Sequence, residues 1–219
     1  MNMKLLSLRG SRYGSRCAIQ IAAKGLNIPV EYVPTPFSDD FLAKNPVGLV
    51  PVLEIDGSYL PESQVICEYL EDLGEGPSMR PADSLACAKM RLIIRQFELY
   101  YDPPLLEAYS LFRVQSTVER KKIAPLIERI LRGLNLIAAS LTGEKYAVGG
   151  RLSLADCALM PPFLQTKLFF PAMGFEDPIS GHDVVARYYD KTLTDPHVAR
   201  VVNDMIEPMA GWFGTLTCR

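Results

Sequence analysis

Residues 45–63, Asn-Pro-Val-Gly-Leu-Val-Pro-Val-Leu-Glu-Ile-Asp-Gly-Ser-Tyr-Leu-Pro-Glu-Ser, concentrate the groups able to hold a small peptide. A turn at 45–48 runs into Val50-Pro51 and a short apolar strand. Asp56-Gly57 then turns the chain into a second strand that reaches Glu62-Ser63. Proline has no N–H to give a sheet ladder, so Pro51 belongs at the entry or edge of a strand. An X-Pro bond in a tight turn is also where a cis peptide costs little. A cis bond there would turn the N–H and C=O of Val50 outward, where an extended peptide can pair with them. Glu62 and Ser63 open a helical pattern and would offer a carboxylate, a hydroxyl and free backbone N–H groups. This is a site for a small zwitterionic peptide.

The elements that must position these residues follow from periodicity and turn chemistry. Lys4–Leu8 reads as a strand. The apolar spacing from Tyr13 to Lys24 predicts a helix that Gly25 ends, and residues 29–33 predict a second strand parallel to the first. Ser38-Asp39-Asp40 caps a short helix to Lys44, the hairpin spans 51–60, and Ile66, Tyr69, Leu70 and Leu73 mark an amphipathic helix. Two glycines and two prolines make residues 74–82 a linker.

Beyond the linker the pattern is helical, with no convincing strand. Met90, Ile93, Ile94, Phe97 and Tyr101 form one stripe, stopped or kinked at Pro103-Pro104. Residues 123–141 carry a longer stripe. Ser153 and Asp156 have capping-box spacing ahead of a segment, 154–170, that is apolar nearly all round and so buried on every side. Capping, not catalysis, is the reading of that pair. The chain divides into residues 1–75, α/β in character, and 84–219, all helical.

Composition narrows the classes. The 219 residues carry a net charge of −2 with pI near 5.8, which gives no electrostatic case for nucleic acid or an anionic membrane. The four-residue apolar run before Arg9 is too short for a signal peptide or a span. Cysteines 17, 67, 87, 157 and 218 are odd in number and widely spaced. They read as reduced thiols of a cytoplasmic protein, without metal-ligand spacing.

Asn-Pro-x-Gly-x-Val-Pro followed by Glu-Ser resembles the glutathione-binding half of the cytosolic glutathione transferase superfamily, and the β-α-β-α-β-β-α order agrees with its thioredoxin-like domain. The Ser-x-x-Asp cap resembles that of the central helix in its C-terminal helical-bundle domain. The resemblance implies glutathione as co-substrate, with Leu49, Val50 and Pro51 along its cysteinyl unit and Glu62 and Ser63 at its γ-glutamyl end. It also implies a homodimer. Such enzymes must hold the glutathione thiol as thiolate, and a free thiol titrates near ~8.5 unless a helix N-terminus or a cation lowers that value.

Aligning Arg16 and Ala22-Ala23-Lys24-Gly25 with the family's first helix places Ser11 at the activating position. The serine-type classes, zeta and tau among them, carry serine there, whereas omega and its relatives carry cysteine. Ser11 would donate a hydrogen bond to the thiolate, helped by the helix N-terminus and by Arg12 or Arg16. Ser15, one turn on, and Tyr13 are its rivals; Cys17 lies deeper in the helix and reads as packing. Several classes place a cation or amide eight residues before the Asn-Pro turn to meet the glycyl carboxylate. This chain has Phe37 there, which leaves Arg12 or Lys44 as substitutes.

The second substrate is expected in a pocket that includes Tyr13, Tyr100, Tyr101 and Leu168, with Tyr109, Phe112, Leu164 and Phe169 nearby, although aromatics at this spacing also build cores. The preferred activity is conjugation of glutathione to an apolar or aromatic electrophile. A maleylacetoacetate-type isomerase is the alternative, but the loop lacks that group's Ser-Ser-Cys and Leu168 stands where its arginine would be. Thiol reduction would favour cysteine at position 11. A non-catalytic binding module is the remaining class, and intact Ser11, Pro51, Glu62 and Ser63 speak against it.

Overall fold

Alternation of side chains decides which face of the sheet meets which core. In β1 (Met3–Ser7), Leu5 lies opposite Leu53 of β3 (Val52–Ile55), and Leu6 lies opposite Val52. Leu5 and Leu53 join the main core, whereas Leu6 and Val52 meet Phe41 in a small cluster on the other face. The computed structural model describes residues 1–114, 117–213 and 217–218, without the side chains of 113, 114, 117, 118, 120, 217 and 218.

The sheet has the order β2-β1-β3-β4, with β2 (Val30–Tyr32) parallel to β1 and β4 (Ser58–Pro61) closing the hairpin with β3. Between β1 and β2 runs α1 (Arg12–Lys24). Gly25 ends it in the left-handed region (φ 66°), with Leu26 N–H returning to Ile21 C=O. Ser38 caps α2 (Asp39–Lys44), and α3 (Ser63–Asp72) follows the hairpin. These elements form the expected thioredoxin-like domain.

The helical domain holds α4 (Ser84–Gln96), α5 (Asp102–Val114), α6 (Arg120–Ser140), α7 (Leu154–Ala172), α8 (Asp183–Leu193), α9 (Pro196–Asn203) and α10 (Ile206–Phe213). A two-residue parallel pairing of Thr117–Val118 with Thr217–Cys218 is a departure from the strand-free expectation. Of the stop or kink expected at Pro103-Pro104, the stop is absent and the helix is distorted instead. The chain does not stop there: Phe97–Tyr101 widens into a π-helical turn, and both prolines sit in the first turn of α5. Neither proline has an N–H to return to the turn before it, and the wider turn absorbs the mismatch.

The helix α7 is buried along nearly its whole length, as its composition predicts. Its cap is the expected one. Asp156 Oδ2 accepts from Ser153 N–H (2.8 Å) and from the Ser153 hydroxyl (2.7 Å), while Oδ1 accepts from Ala147 N–H (2.7 Å) and Tyr188 O–H (2.9 Å). Burial pushes this carboxyl up, against those four hydrogen bonds.

Candidate functional site

The peptide-binding groups predicted from residues 45–63 converge on a cleft of about 390 Å³. Leu49, Val50 and Pro51 form one wall, and the Val50–Pro51 bond is cis. Val50 lies outside the sheet ladder, and Asn45 Nδ2 holds the preceding loop by donating to Leu49 C=O (2.7 Å). Glu62 and Ser63 line the floor at the N-terminus of α3. Glu62 has φ 73°, a left-handed conformation that costs an L-residue on the order of 1–3 kcal/mol and persists where surrounding structure imposes it.

The first turn of α1 supplies the opposite edge. Tyr13 and Arg16 line the cleft, and Glu98, Asp102 and Leu106 face them from the helical domain. Ser11 is the N-cap: its oxygen accepts from Gly14 N–H (3.2 Å), which leaves its O–H proton to donate. Ser11 is half-buried at the N-cap of α1 and does not line the cleft. Ser15 faces a separate hollow bounded by β2 and α9. Cys17 is fully buried, donating to Ser63 C=O (3.6 Å) and lying 3.9 Å from Cys67 Sγ.

One feature behind the cleft was missed by motif reading. Arg12, Arg16, Gln20 and Lys24 stand at i, i+4 intervals on α1, and all four are buried. Arg12 donates to Gln165 Oε1 (2.7 Å) and to Tyr13 Oη (3.0 Å), and pairs with Asp102 (2.7 Å). Arg16 pairs with Glu98 (3.3 Å) and donates to Gln64 Oε1. Gln20 donates to Cys67 C=O and Glu71, and Lys24 pairs with Glu71 (3.1 Å) and reaches Pro77 C=O. A polar row of this spacing inside an otherwise apolar helix was the available signal, since buried charges need partners.

The row sets the chemistry of the cleft. Tyr13 O–H donates to Asp102 Oδ2 (2.5 Å), and burial, with the neighbouring carboxylate, pushes the phenol up to about 12 against the pull of Arg12. Burial also raises Asp102, although the Arg12 charge and the Tyr13 hydrogen bond oppose it. Tyr13 therefore keeps its proton at neutral pH.

Family models for the N-terminal and C-terminal domains of glutathione S-transferase match residues 5–78 and 93–194. A glutathione S-transferase from Pseudomonas putida is 30% identical over 160 residues, covering 70% of each chain. This chain belongs to the glutathione S-transferase family. A maleylacetoacetate isomerase from Rattus norvegicus is 28% identical over 162 residues, which is 70% of this chain and 73% of that one. Among solved structures, glutathione transferase Omega 3C from Trametes versicolor superposes with a TM-score of 0.78 at 25% identity, covering 92% of this chain and 84% of that one.

Within this transferase fold, several residues expected at the site stand elsewhere. Arg12 is turned inward, its guanidinium held by Gln165, Tyr13 and Asp102, and it does not line the cleft. Tyr101 is fully buried, packs edge-on against Phe163 (5.7 Å) and bonds Thr166 through its hydroxyl (2.6 Å). Leu168 is half-buried against the core, and Tyr100 is half-exposed outside the cleft. Tyr109, Phe112 and Phe169 pack on one another as core. The aromatic stripe faces inward because α5 and α7 bury these faces against each other and against α10. Phe37 stacks on Phe41 (4.5 Å), and Lys44 pairs with Asp40 (2.6 Å) outside the cleft. The side chain of Cys218 lies outside the described residues.

Proposed function

We propose that the cleft binds glutathione as co-substrate and that the protein conjugates its thiolate to an apolar or aromatic electrophile. The observation that carries this reading is the meeting of the Val50-Pro51 turn, the α3 N-terminus at Glu62-Ser63 and the first turn of α1 around one cleft. In this reading the main-chain groups of Val50 pair with the cysteinyl unit, while Glu62 accepts from the γ-glutamyl amine and Ser63 donates to its carboxylate. The sulfur then points toward α1. Ser11 donates its O–H to the thiolate, and the helix N-terminus favours the negative charge. The thiolate attacks the electrophilic carbon; a C–S bond forms as the leaving group departs with its electron pair, and the thiol proton passes to solvent.

Leu85, Leu92 and Leu99 repeat every seven residues along one exposed helical face, with Val65 of α3 also exposed. This stripe is the surface proposed to pair two copies as a homodimer. Among the described residues no helix is long and apolar enough to cross a membrane, and the partly or fully buried free thiols Cys17, Cys67, Cys87 and Cys157 suit a reducing cytoplasm.

The isomerase reading rests on the maleylacetoacetate isomerase relatives. Retention on immobilised glutathione with turnover of 1-chloro-2,4-dinitrobenzene tests the transferase; turnover of maleylacetone without loss of glutathione would replace it with the isomerase. Binding without turnover of either leaves a binding module.

A further inference from the structure

We propose that Cys17 and Cys67 form a redox-active pair, which a hydroperoxide converts to an intramolecular disulfide and a free thiol restores. The pair lies in the core between α1 and α3, and the conjugation chemistry makes no use of it. Both side chains are fully buried with their Sγ atoms 3.9 Å apart, although the residues stand 50 positions apart in sequence. A disulfide needs about 2.05 Å between its sulfurs, so about 1.9 Å remains to be closed. Rotation about the two Cα–Cβ bonds moves each sulfur by a comparable distance, and the two helices already pack on one another. The pair also lies directly behind the cleft. Arg16, the residue before Cys17, lines the cleft, and so does Ser63, whose C=O accepts from the Cys17 thiol (3.6 Å). The first turn of α3 thus stands between Cys17 and the cleft, and Glu62 opens that turn in its left-handed conformation. Hydrogen peroxide is scarcely larger than water, so a brief opening of this helix end admits it while the core stays folded.

Cys67 is the attacking sulfur. Its hydrogen-bonded contact with Cys17, aided by the Arg16 charge, holds its thiol below the ordinary value against burial, whereas burial pushes the Cys17 thiol well up. The Cys67 thiolate attacks one peroxide oxygen. An S–O bond forms, the O–O bond breaks, and the departing hydroxide takes up the Cys67 proton as water, leaving a sulfenic acid. The Cys17 sulfur then attacks the Cys67 sulfur. The S–S bond forms as the S–O bond breaks, and the second hydroxide leaves as water with the Cys17 proton. Two thiols lose two electrons, and the peroxide that accepts them becomes two waters. Exchange with a free thiol such as glutathione or dithiothreitol reopens the bond. A pair of this kind suits a reducing compartment, where disulfides are transient.

The test treats the full, folded chain with hydrogen peroxide, quenches in acid, alkylates the remaining thiols under denaturing conditions and maps the peptides by mass spectrometry without reduction. Digestion at acidic as well as basic residues separates Cys67 from Cys87. The expected product is a peptide pair joined through Cys17 and Cys67, two hydrogens lighter than its parts. The two free thiols should disappear one for one, and dithiothreitol should restore both. Cys17→Ser should stop Cys67 at the sulfenic acid, which dimedone traps. Free thiols at both positions after a dose that oxidises the half-buried Cys87 overturn the proposal. A crosslink that forms only in the urea-unfolded chain overturns it as well. Neither result bears on the glutathione reading of the cleft.

Discussion

Ser11→Ala removes two things at once, and their magnitudes separate them. The Ser11 oxygen accepts from Gly14 N–H at 3.2 Å, so alanine takes away the cap of α1. Losing such a cap costs about 1 kcal/mol, which lowers Tm by roughly 2–4 °C in a chain of this size. If the O–H also donates to the thiolate, a further ~2–4 kcal/mol of transition-state stabilisation disappears, and kcat/KM falls roughly 30- to 1,000-fold. Ser11→Gly divides the effects, because glycine at an N-cap costs only a few tenths of a kcal/mol but has no hydroxyl. The expected pattern is a lowered Tm in the alanine variant, a nearly unchanged one in the glycine variant, and the same kinetic loss in both. The assays are calorimetric melting and initial rates with 1-chloro-2,4-dinitrobenzene across pH. Full activity in both variants would refute the reasoning and leave Ser11 as a cap alone. Should Tyr13→Phe carry the loss instead, the donor is the phenol that lines the cleft.

Other perturbations bear on the polar row of α1 and on the caps. Asp102→Ala strands the buried Arg12 charge and is expected to cost about 3–5 kcal/mol in urea unfolding; a cost below about 1 kcal/mol would mean that the pair is not desolvated. Burial raises the Glu71 carboxyl, but hydrogen bonds from Lys24, Gln20 and Met79 N–H outweigh burial and hold it below its ordinary value. Its contribution is thus full above the unfolded carboxylate value near ~4.3 and is lost as pH falls through the lower folded one, so Glu71→Gln should flatten the acid limb of stability against pH. Asp156→Ala leaves Ala147 N–H and Tyr188 O–H without their acceptor and should cost about 3 kcal/mol or more by the same measurement. Native-state alkylation followed by mass spectrometry should modify Cys87 well before the fully buried Cys17, Cys67 and Cys157; equal labelling of Cys17 would contradict its burial.

What the chain discloses locally, it discloses well. Ser38 and Ser153 cap the helices that their neighbours' spacing predicts, Gly25 ends α1, and Pro51 sits at a strand entry beside a cis bond. These are short-range effects of backbone chemistry, so adjacent residues encode them. The second-substrate wall was harder. A stripe of Tyr101, Tyr109 and Phe112 has the same period whether it lines a pocket or a core, and only tertiary packing decides between them. The Arg12 network joins residues 89 and 153 positions apart, from Tyr13 to Asp102 and from Arg12 to Gln165, and no local pattern specifies that. Its trace was the four-residue interval from Arg12 to Lys24, visible only when polar residues are tested for the periodicity usually sought in apolar ones.

The widened turn at Phe97–Tyr101 adjusts the phase of everything after it. One surplus residue in a helical run rotates the following side chains by about a quarter turn or more, given the 3.6-residue repeat. Here that rotation leaves Tyr101 in the interior and sets Asp102 at the cleft. Deleting a single residue from the run would regularise the spiral and swing Asp102 off Arg12, so the register of this short stretch, as much as its side chains, fixes which groups of the helical domain line the cleft.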